Sequence, residues 1–242
     1  MPPPTSSSSR DPTERERQVA ELLDRWPWTL GAVVIGGYAV AAHGRARYSD
    51  DVDFVVGSES REGHRQFLLD LQFVGRELRF GTKQPGGLVV ERWEKAPVTL
   101  DLLVGGVRDR KAELEVPASW VAKDPWRGRL TLLSTRTRTE VRVCRPTALF
   151  ALKLLAGRLQ DLGDMFSMEV AEVDAAEIRA MLEPLWCEGL QAKLDLVARL
   201  VADPKTYRDV CSRAAAGSPD KRENVRRWRV LQNRIAACRP LA

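Results

Sequence analysis

The run VVIGGYAVAAHGRARYSDDVDFVV, residues 33–56, restricts what this chain can fold into more than any other stretch. An apolar segment runs straight into Gly36-Gly37. A second apolar segment then carries Asp51 and Asp53, alternating with Val52 and Phe54. Residues two apart on a strand project to the same face, so the two carboxylates stand together while Val52 and Phe54 turn to the core. An uncompensated carboxylate in a buried strand costs several kcal/mol. Two of them repel unless a cation stands between them. A strand that delivers two glycines to a helix start bares backbone N–H groups, which attract anions. Taken alone, the two acids also suit an edge strand with solvated aspartates.

A third carboxylate narrows the choice. Asp101 lies in VTLDLLVG, an otherwise uncharged strand. Two acids on one strand and one on another suit a two-metal site for in-line phosphoryl or nucleotidyl transfer, and magnesium prefers such oxygen ligands. Asp50 lies before the strand or faces away from Asp51. Lys153 sits among apolar residues in TALFALKLLAG and needs a partner. If its helix runs on through Gly163, Lys153, Asp161 and Asp164 share one stripe. Lys153 then meets a phosphate, pairs with Asp161, or snorkels to the surface. Arg158 can pair with Asp161 three residues on.

Around these residues the periodicities predict a helix over 13–26, a strand over 31–35 and a short helix over 37–43 capped by Gly44. A strand over 51–56 and a helix from Ser58 to about residue 74 follow. Strands are expected around 77–80, 88–93 and 98–104, with Gly86-Gly87 between the first two. Residues 107–129 read as irregular, and 130–133 with 140–143 as a hairpin. Beyond Pro146 the pattern is helical, with candidates at 147–159, 175–186, 190–201 and 220–236. The expected fold class is α+β. A mixed β-sheet with flanking helices occupies 13–145 and a helical bundle 146–242, behind a disordered Pro/Ser tail over 1–12. The 242 residues are enough for a sizeable core. The four cysteines form no CxxC pair, so reduced thiols in a cytoplasmic protein are expected. No apolar run approaches a membrane span, which excludes a membrane partner of that kind.

The glycine and acid residues resemble a known signature. Gly36, Gly37, Ala39, His43, Gly44, Arg47, Ser49, Asp51, Val52 and Asp53 follow the pattern of the polymerase-beta-type nucleotidyltransferase superfamily. More closely they resemble its AbiEii-type members, often toxins of toxin–antitoxin pairs. RPTALFALKLLAGRLQDLGD resembles their second hallmark, a helix with Lys, then Arg, then spaced aspartates. The match spans 33–164, with little between the two motifs. Ser49 replaces a threonine, Gly37 stands where other members carry serine, and thirteen residues separate Gly37 from Asp51. The resemblance implies that Asp51, Asp53 and Asp101 hold Mg²⁺ against an NTP, with Asp101 also helping to deprotonate the acceptor. It implies that Gly36, Gly37, Arg47, Ser49 and Lys153 serve the nucleotide, with Arg45 beside them. His43 reads as a cap or loop anchor. Trp126 reads as a packing residue, with base stacking as the alternative.

The net charge of +5 is local. Residues 219–239 hold Lys221, Arg222, Arg226, Arg227, Arg229, Arg234 and Arg239 against Asp220 and Glu223, which leaves the rest of the chain neutral. Val225, Trp228, Leu231 and Ile235 form one apolar helix face, with Arg222, Arg226 and Arg229 as a basic row beside it. Clustered arginine is the main source of nonspecific nucleic-acid affinity. The acceptor is therefore expected to be RNA, a tRNA 3′ end by the toxin resemblance, with a cognate antitoxin as a further partner. The rivals are transfer to a small molecule such as an antibiotic, and a non-catalytic nucleotide- or RNA-binding module.

Overall fold

Asp11 accepts a hydrogen bond from the Thr13 amide and Pro12 follows it, so the chain enters its first helix, α1 (Pro12–Arg25), on an N-cap and a proline with no amide to orphan. Val19, Leu22 and Leu23 of that helix are buried, and Trp26 just beyond it stacks on Phe54 at 3.7 Å. The computed structural model describes residues 11–44, 47–78, 88–109, 114–168, 172–214 and 220–239. Most of the Pro/Ser-rich tail, Arg45 and the Gly86-Gly87 turn lie outside the described residues.

A seven-stranded mixed sheet forms the centre. Its strands are β1 (Val33–Ile35), β2 (Val52–Val56), β3 (Val74–Leu78), β4 (Val89–Lys95), β5 (Val98–Val104), β8 (Trp126–Thr131) and β9 (Arg138–Val143). Their order is β3-β4-β5-β2-β1-β9-β8. β2 runs parallel to β5 and β1 parallel to β9; the other pairs are antiparallel. β5 alternates buried Val98, Leu100, Leu102 and Val104 with half-buried Thr99, Asp101 and Leu103, the period-2 pattern of a half-buried strand. Helices α2 (Gly36–His43) and α3 (Arg61–Asp70) belong to this half.

The helical half comprises α5 (Pro146–Ala156), α6 (Leu159–Ser167), α7 (Ala175–Leu182), α8 (Glu188–Ala202), α9 (Pro204–Ala214) and α10 (Lys221–Ala237). One contiguous hydrophobic cluster joins residues of α1, the sheet and all these helices. At its far end, Nη2 of Arg227 on α10 donates to the carbonyls of Phe166, Ser167 and Met168 at 3.1, 3.2 and 3.3 Å, satisfying the open C-terminus of α6. No described helix is long and apolar enough to cross a membrane. All four cysteines are free.

Several expectations are corrected. The stretch 107–129 is not irregular: β6 (Gly106–Asp109) pairs with β7 (Leu114–Pro117), and a helical turn, α4 (Ala118–Val121), follows. The helix from Ser58 ends at Asp70, and the strand after it starts at Val74 rather than 77. Helix α5 does not run on through Gly163. It stops at Gly157, which takes the left-handed conformation at φ 63°, and α6 starts after Arg158. Helix α9 has no counterpart among the expected elements; its sequence, PKTYRDVCSRA, offers too few apolar residues to show a period. On α10 the inward face is Asn224, Trp228, Leu231 and Ile235, while Val225 lies outside at 40% exposure. Arg227 and Arg239, two of the cations in the basic segment, are taken up by contacts within the chain. Arg239 pairs with Asp195, and Arg227 caps α6.

Candidate active site

The turn from β1 into α2 brings glycine and acid together. Gly36 sits at φ +67°, which an L side chain rarely adopts, and a Cβ there would fall 2.0 Å from Oδ2 of Asp53. Register explains the approach, because Ile35 is paired with Asp53 across β1 and β2. A Cβ on Gly37 would lie 2.3 Å from Oγ of Ser49 and 2.7 Å from Nη2 of Arg47. Ser49 and Arg47 thus fill the space a side chain at position 37 would need. Gly36→Ala is expected to cost at least about 1–2 kcal/mol from the left-handed backbone alone, before Asp53 is displaced. Denaturant unfolding of the purified variant measures it, and wild-type stability would remove the close approach.

The acids converge as their strands are paired. Asp53 on β2 and Asp101 on β5 are register partners on neighbouring parallel strands. Asp51, just before β2, completes a set in which one carboxylate oxygen from each residue lies within 4.8 Å of the others. Burial pushes the Asp53 carboxyl up to about 7; the neighbouring Asp51 and Asp101 charges push the same way, against Lys153 and Arg92. Three hard oxygen donors and a carboxyl short of positive charge suit a divalent cation such as Mg²⁺. Asp50 is exposed.

Arg92 is the member that sequence reading missed. It lies on β4 directly across from Asp101 and grips it with both prongs: Nε to Oδ1 at 2.8 Å and Nη2 to Oδ2 at 2.7 Å. A bidentate fork of this kind fixes carboxylate orientation as well as charge. Only the pairing of β4 with β5 reveals it, since nothing local distinguishes Arg92 from an exposed strand arginine.

Lys153 is buried, and α5 is buried nearly all round. Its Nζ lies 2.7 Å from Oδ2 of Asp164 and 3.2 Å from Oδ1 of Asp161. The stripe expected on one continuous helix is therefore assembled by two helices across the Gly157 turn. Arg158 adds Nε to Oδ2 of Asp161 at 2.7 Å, and Arg47 adds Nη2 to Oδ2 of Asp164 at 3.2 Å. Burial opposes ionisation of Asp161, but the Arg158 hydrogen bonds and the Lys153 charge outweigh it and hold its carboxyl below the usual range. Three cations and two anions form the chain Arg47–Asp164–Lys153–Asp161–Arg158, within electrostatic reach of Asp53.

The remaining residues position the loop. Arg15, buried on α1, donates to the carbonyl of Ser49 and lies 5.1 Å from the Tyr48 ring centroid. The Ser49 hydroxyl lies 3.2 Å from the Asp51 carbonyl and donates to it. His43 anchors the end of α2: its Nε2 lies 2.6 Å from the Cys144 carbonyl, and its ring stacks on Trp126 at 4.8 Å. Burial pulls the His43 imidazole below its ordinary value, against the Cys144 hydrogen bond. Arg222, Arg226 and Arg229 are exposed on α10 and belong to a different surface.

No family model matches the chain. No curated protein matches it either. Among solved structures it is similar to the crystal structure of ANT(2")-Ia in complex with adenylyl-2"-tobramycin, at 17% identity and TM-score 0.39, covering 77% of this chain and 98% of that one. The solution structure of ANT(2'')-Ia is similar at 16% identity and TM-score 0.39, over 93% of this chain and 91% of that one. JHP933 from Helicobacter pylori is similar at 13% identity and TM-score 0.33, over 93% and 89%.

Proposed function

We propose that this chain is a Mg²⁺-dependent nucleotidyltransferase that moves a nucleotide from an NTP to a hydroxyl of RNA. The observation that carries the reading is the convergence of Asp51, Asp53 and Asp101 within 4.8 Å, with Asp53 packed against Gly36. Asp51, Asp53 and Asp101 would hold the ion, which when bound neutralises charge developing on the phosphates. The backbone N–H groups of Gly36 and Gly37, in the first turn of α2, would receive phosphate oxygens. Arg47 and Ser49 stand over Gly37 and limit where those oxygens can lie. Asp101, held in orientation by Arg92, accepts the proton of the acceptor hydroxyl. Lys153 adds positive charge from behind Asp53. The acceptor oxygen bonds the α-phosphorus of the NTP as the bond to pyrophosphate breaks and pyrophosphate leaves, so catalysis is positioning plus electrostatics.

The AbiEii resemblance supports a tRNA 3′ end as the acceptor and an antitoxin as a protein partner. The cavity beside Asp53 and Asp101 is lined by Leu88, Val90, Leu103, Gly106 and Arg108 and measures about 160 Å³. That is below the roughly 300–1,000 Å³ of drug-sized sites. The small volume favours a chain end over a whole cationic antibiotic. The test is to incubate the protein with Mg²⁺, each labelled NTP in turn and total tRNA. Label is expected in RNA, from one NTP above the others. Label on small hydroxyl compounds and none on RNA would replace RNA by the small-molecule reading; no transfer to either would leave the binding-module reading.

A further inference from the structure

The sheet face that carries the acids continues past them as an apolar surface. On β5 the half-buried residues are Thr99, Asp101 and Leu103. On β4, Arg92 is preceded at two-residue steps by Val90 and Leu88, both half-buried. Register sets Arg92 opposite Asp101 and Val90 opposite Leu103. One step along the strands, about 7 Å, the ion pair thus gives way to an apolar pair, and Leu88 extends it. Val55, next on this face of β2 and opposite Leu103, is buried. Gly106 and Arg108 of β6 complete the lining of the cavity of about 160 Å³ that reaches Asp53 and Asp101. The other face of β5 is closed over: Val98, Leu100, Leu102 and Val104 are at most 4% exposed. Leu88, Val90 and Leu103 stay open to whatever enters the cavity. Its volume is roughly half that of the smallest drug-sized sites, room for one ring system and not for a whole nucleotide.

The flank on which the cavity lies points to its occupant. The strands run in the order β4-β5-β2-β1. The glycine turn that would receive phosphate leaves the end of β1, where Ile35 stands opposite Asp53. It therefore lies on one flank of Asp53, and the cavity over β5 and β4 lies on the other. In an in-line displacement the attacking and leaving oxygens stand on opposite sides of the phosphorus. With pyrophosphate on the glycine flank, the acceptor hydroxyl arrives on the flank of Asp101. The base carried by the same sugar then falls on the neighbouring apolar pair. Recognition of single-stranded RNA commonly uses bases splayed out of their stack in this way.

We infer that the pocket walled by Leu88, Val90 and Leu103 takes the base of the last nucleotide of the acceptor RNA, while the sugar hydroxyl of that nucleotide meets Asp101. This rests on the RNA-acceptor reading above and gives it residues that select the chain end. The test uses the full chain with Mg²⁺, one NTP and two RNAs of the same sequence. One ends in a complete nucleoside; the other ends in anhydroribitol, which keeps the sugar hydroxyls and lacks the base. The wild type is expected to favour the complete end by about tenfold or more in kcat/KM, the usual yield of filling an apolar pocket. Val90→Thr/Leu103→Asn keeps side-chain size and should bring that ratio close to one, by slowing transfer to the complete end. A second measurement needs no turnover. With 2-aminopurine as the last base, binding to the wild type without NTP should brighten its emission as the base leaves the stack, and the double variant should give a smaller rise. A wild type that binds and extends both RNAs equally well overturns the pocket and leaves the RNA reading standing. A variant that keeps the wild-type ratio and the wild-type emission places the base elsewhere and overturns it as well. A variant that raises the KM for NTP and spares the ratio assigns the pocket to the incoming nucleotide and overturns the occupant proposed here. If the wild type neither binds nor extends RNA and labels a small hydroxyl compound instead, the RNA reading fails and the base pocket falls with it, while nucleotidyl transfer survives.

Discussion

Asp53→Asn is expected to reduce nucleotide transfer at least about a hundredfold while making the metal-free protein more stable at pH 8. The stability gain follows from where the Asp53 carboxyl titrates. Burial and two neighbouring acids push it up to about 7. Between about pH 4 and pH 7 the folded protein therefore holds a proton that the unfolded chain has released, and metal-free stability falls as pH rises through that window. The full shift corresponds to at most about 4 kcal/mol. Asparagine keeps the shape and removes the charge, so the variant should lose most of this slope. Mg²⁺ should stabilise the wild type more at pH 8 than at pH 5, and the variant much less at either. Thermal or denaturant unfolding with and without Mg²⁺ measures all four conditions. Parallel stability–pH curves for wild type and variant would sink the assignment of Asp53 as the strained member of a cation site.

Lys153→Met is expected to destabilise the fold by about 3 kcal/mol, because removing one partner of a buried ion pair strands the others. Here two carboxylates share the ammonium. Arg158 and Arg47 remain on Asp161 and Asp164, which keeps the cost toward the lower end of the usual range. Adding Asp164→Leu should recover none of the loss, since it takes the partner from Arg47. Nucleotide affinity of the folded fraction at low temperature separates two roles. A loss of tenfold or more beyond the stability effect gives Lys153 a phosphate to meet, and an unchanged affinity confines it to the buried network. A variant as stable as wild type would contradict the burial of the ammonium.

Much of this site is legible in one dimension. Two acids at i and i+2 in an apolar strand must share a face, and the alternation in VTLDLLVG places Asp101 on a half-buried strand. Both follow from pleat geometry and need no knowledge of neighbours. The glycine pair is legible as a turn, but the reason for it is not. Gly36 is excluded from bearing a side chain by Asp53, seventeen positions away, through the β1–β2 register. Arg92 is illegible for the same reason: its meaning lies in the strand beside it. Lys153, Asp161 and Asp164 show a subtler case. Helical spacing predicts their convergence, yet the helix breaks at Gly157 and the contact is remade by the angle between α5 and α6. On α10, period alone places Val225 inside. Asn224 is buried instead, because packing against the neighbouring helices decides which stripe faces inward.

Arg227 gives the tail of the chain a mechanical hold on residues it never touches. It grips the three carbonyls that close α6. The same short helix bears Asp164, Asp164 tethers Arg47, and the Arg47 guanidinium stands against Gly37. Three contacts in series thus connect α10, through the two turns of α6, to the turn where phosphates would rest. The exposed arginines flanking Arg227 therefore stand at one end of a chain of contacts whose other end is the glycine turn.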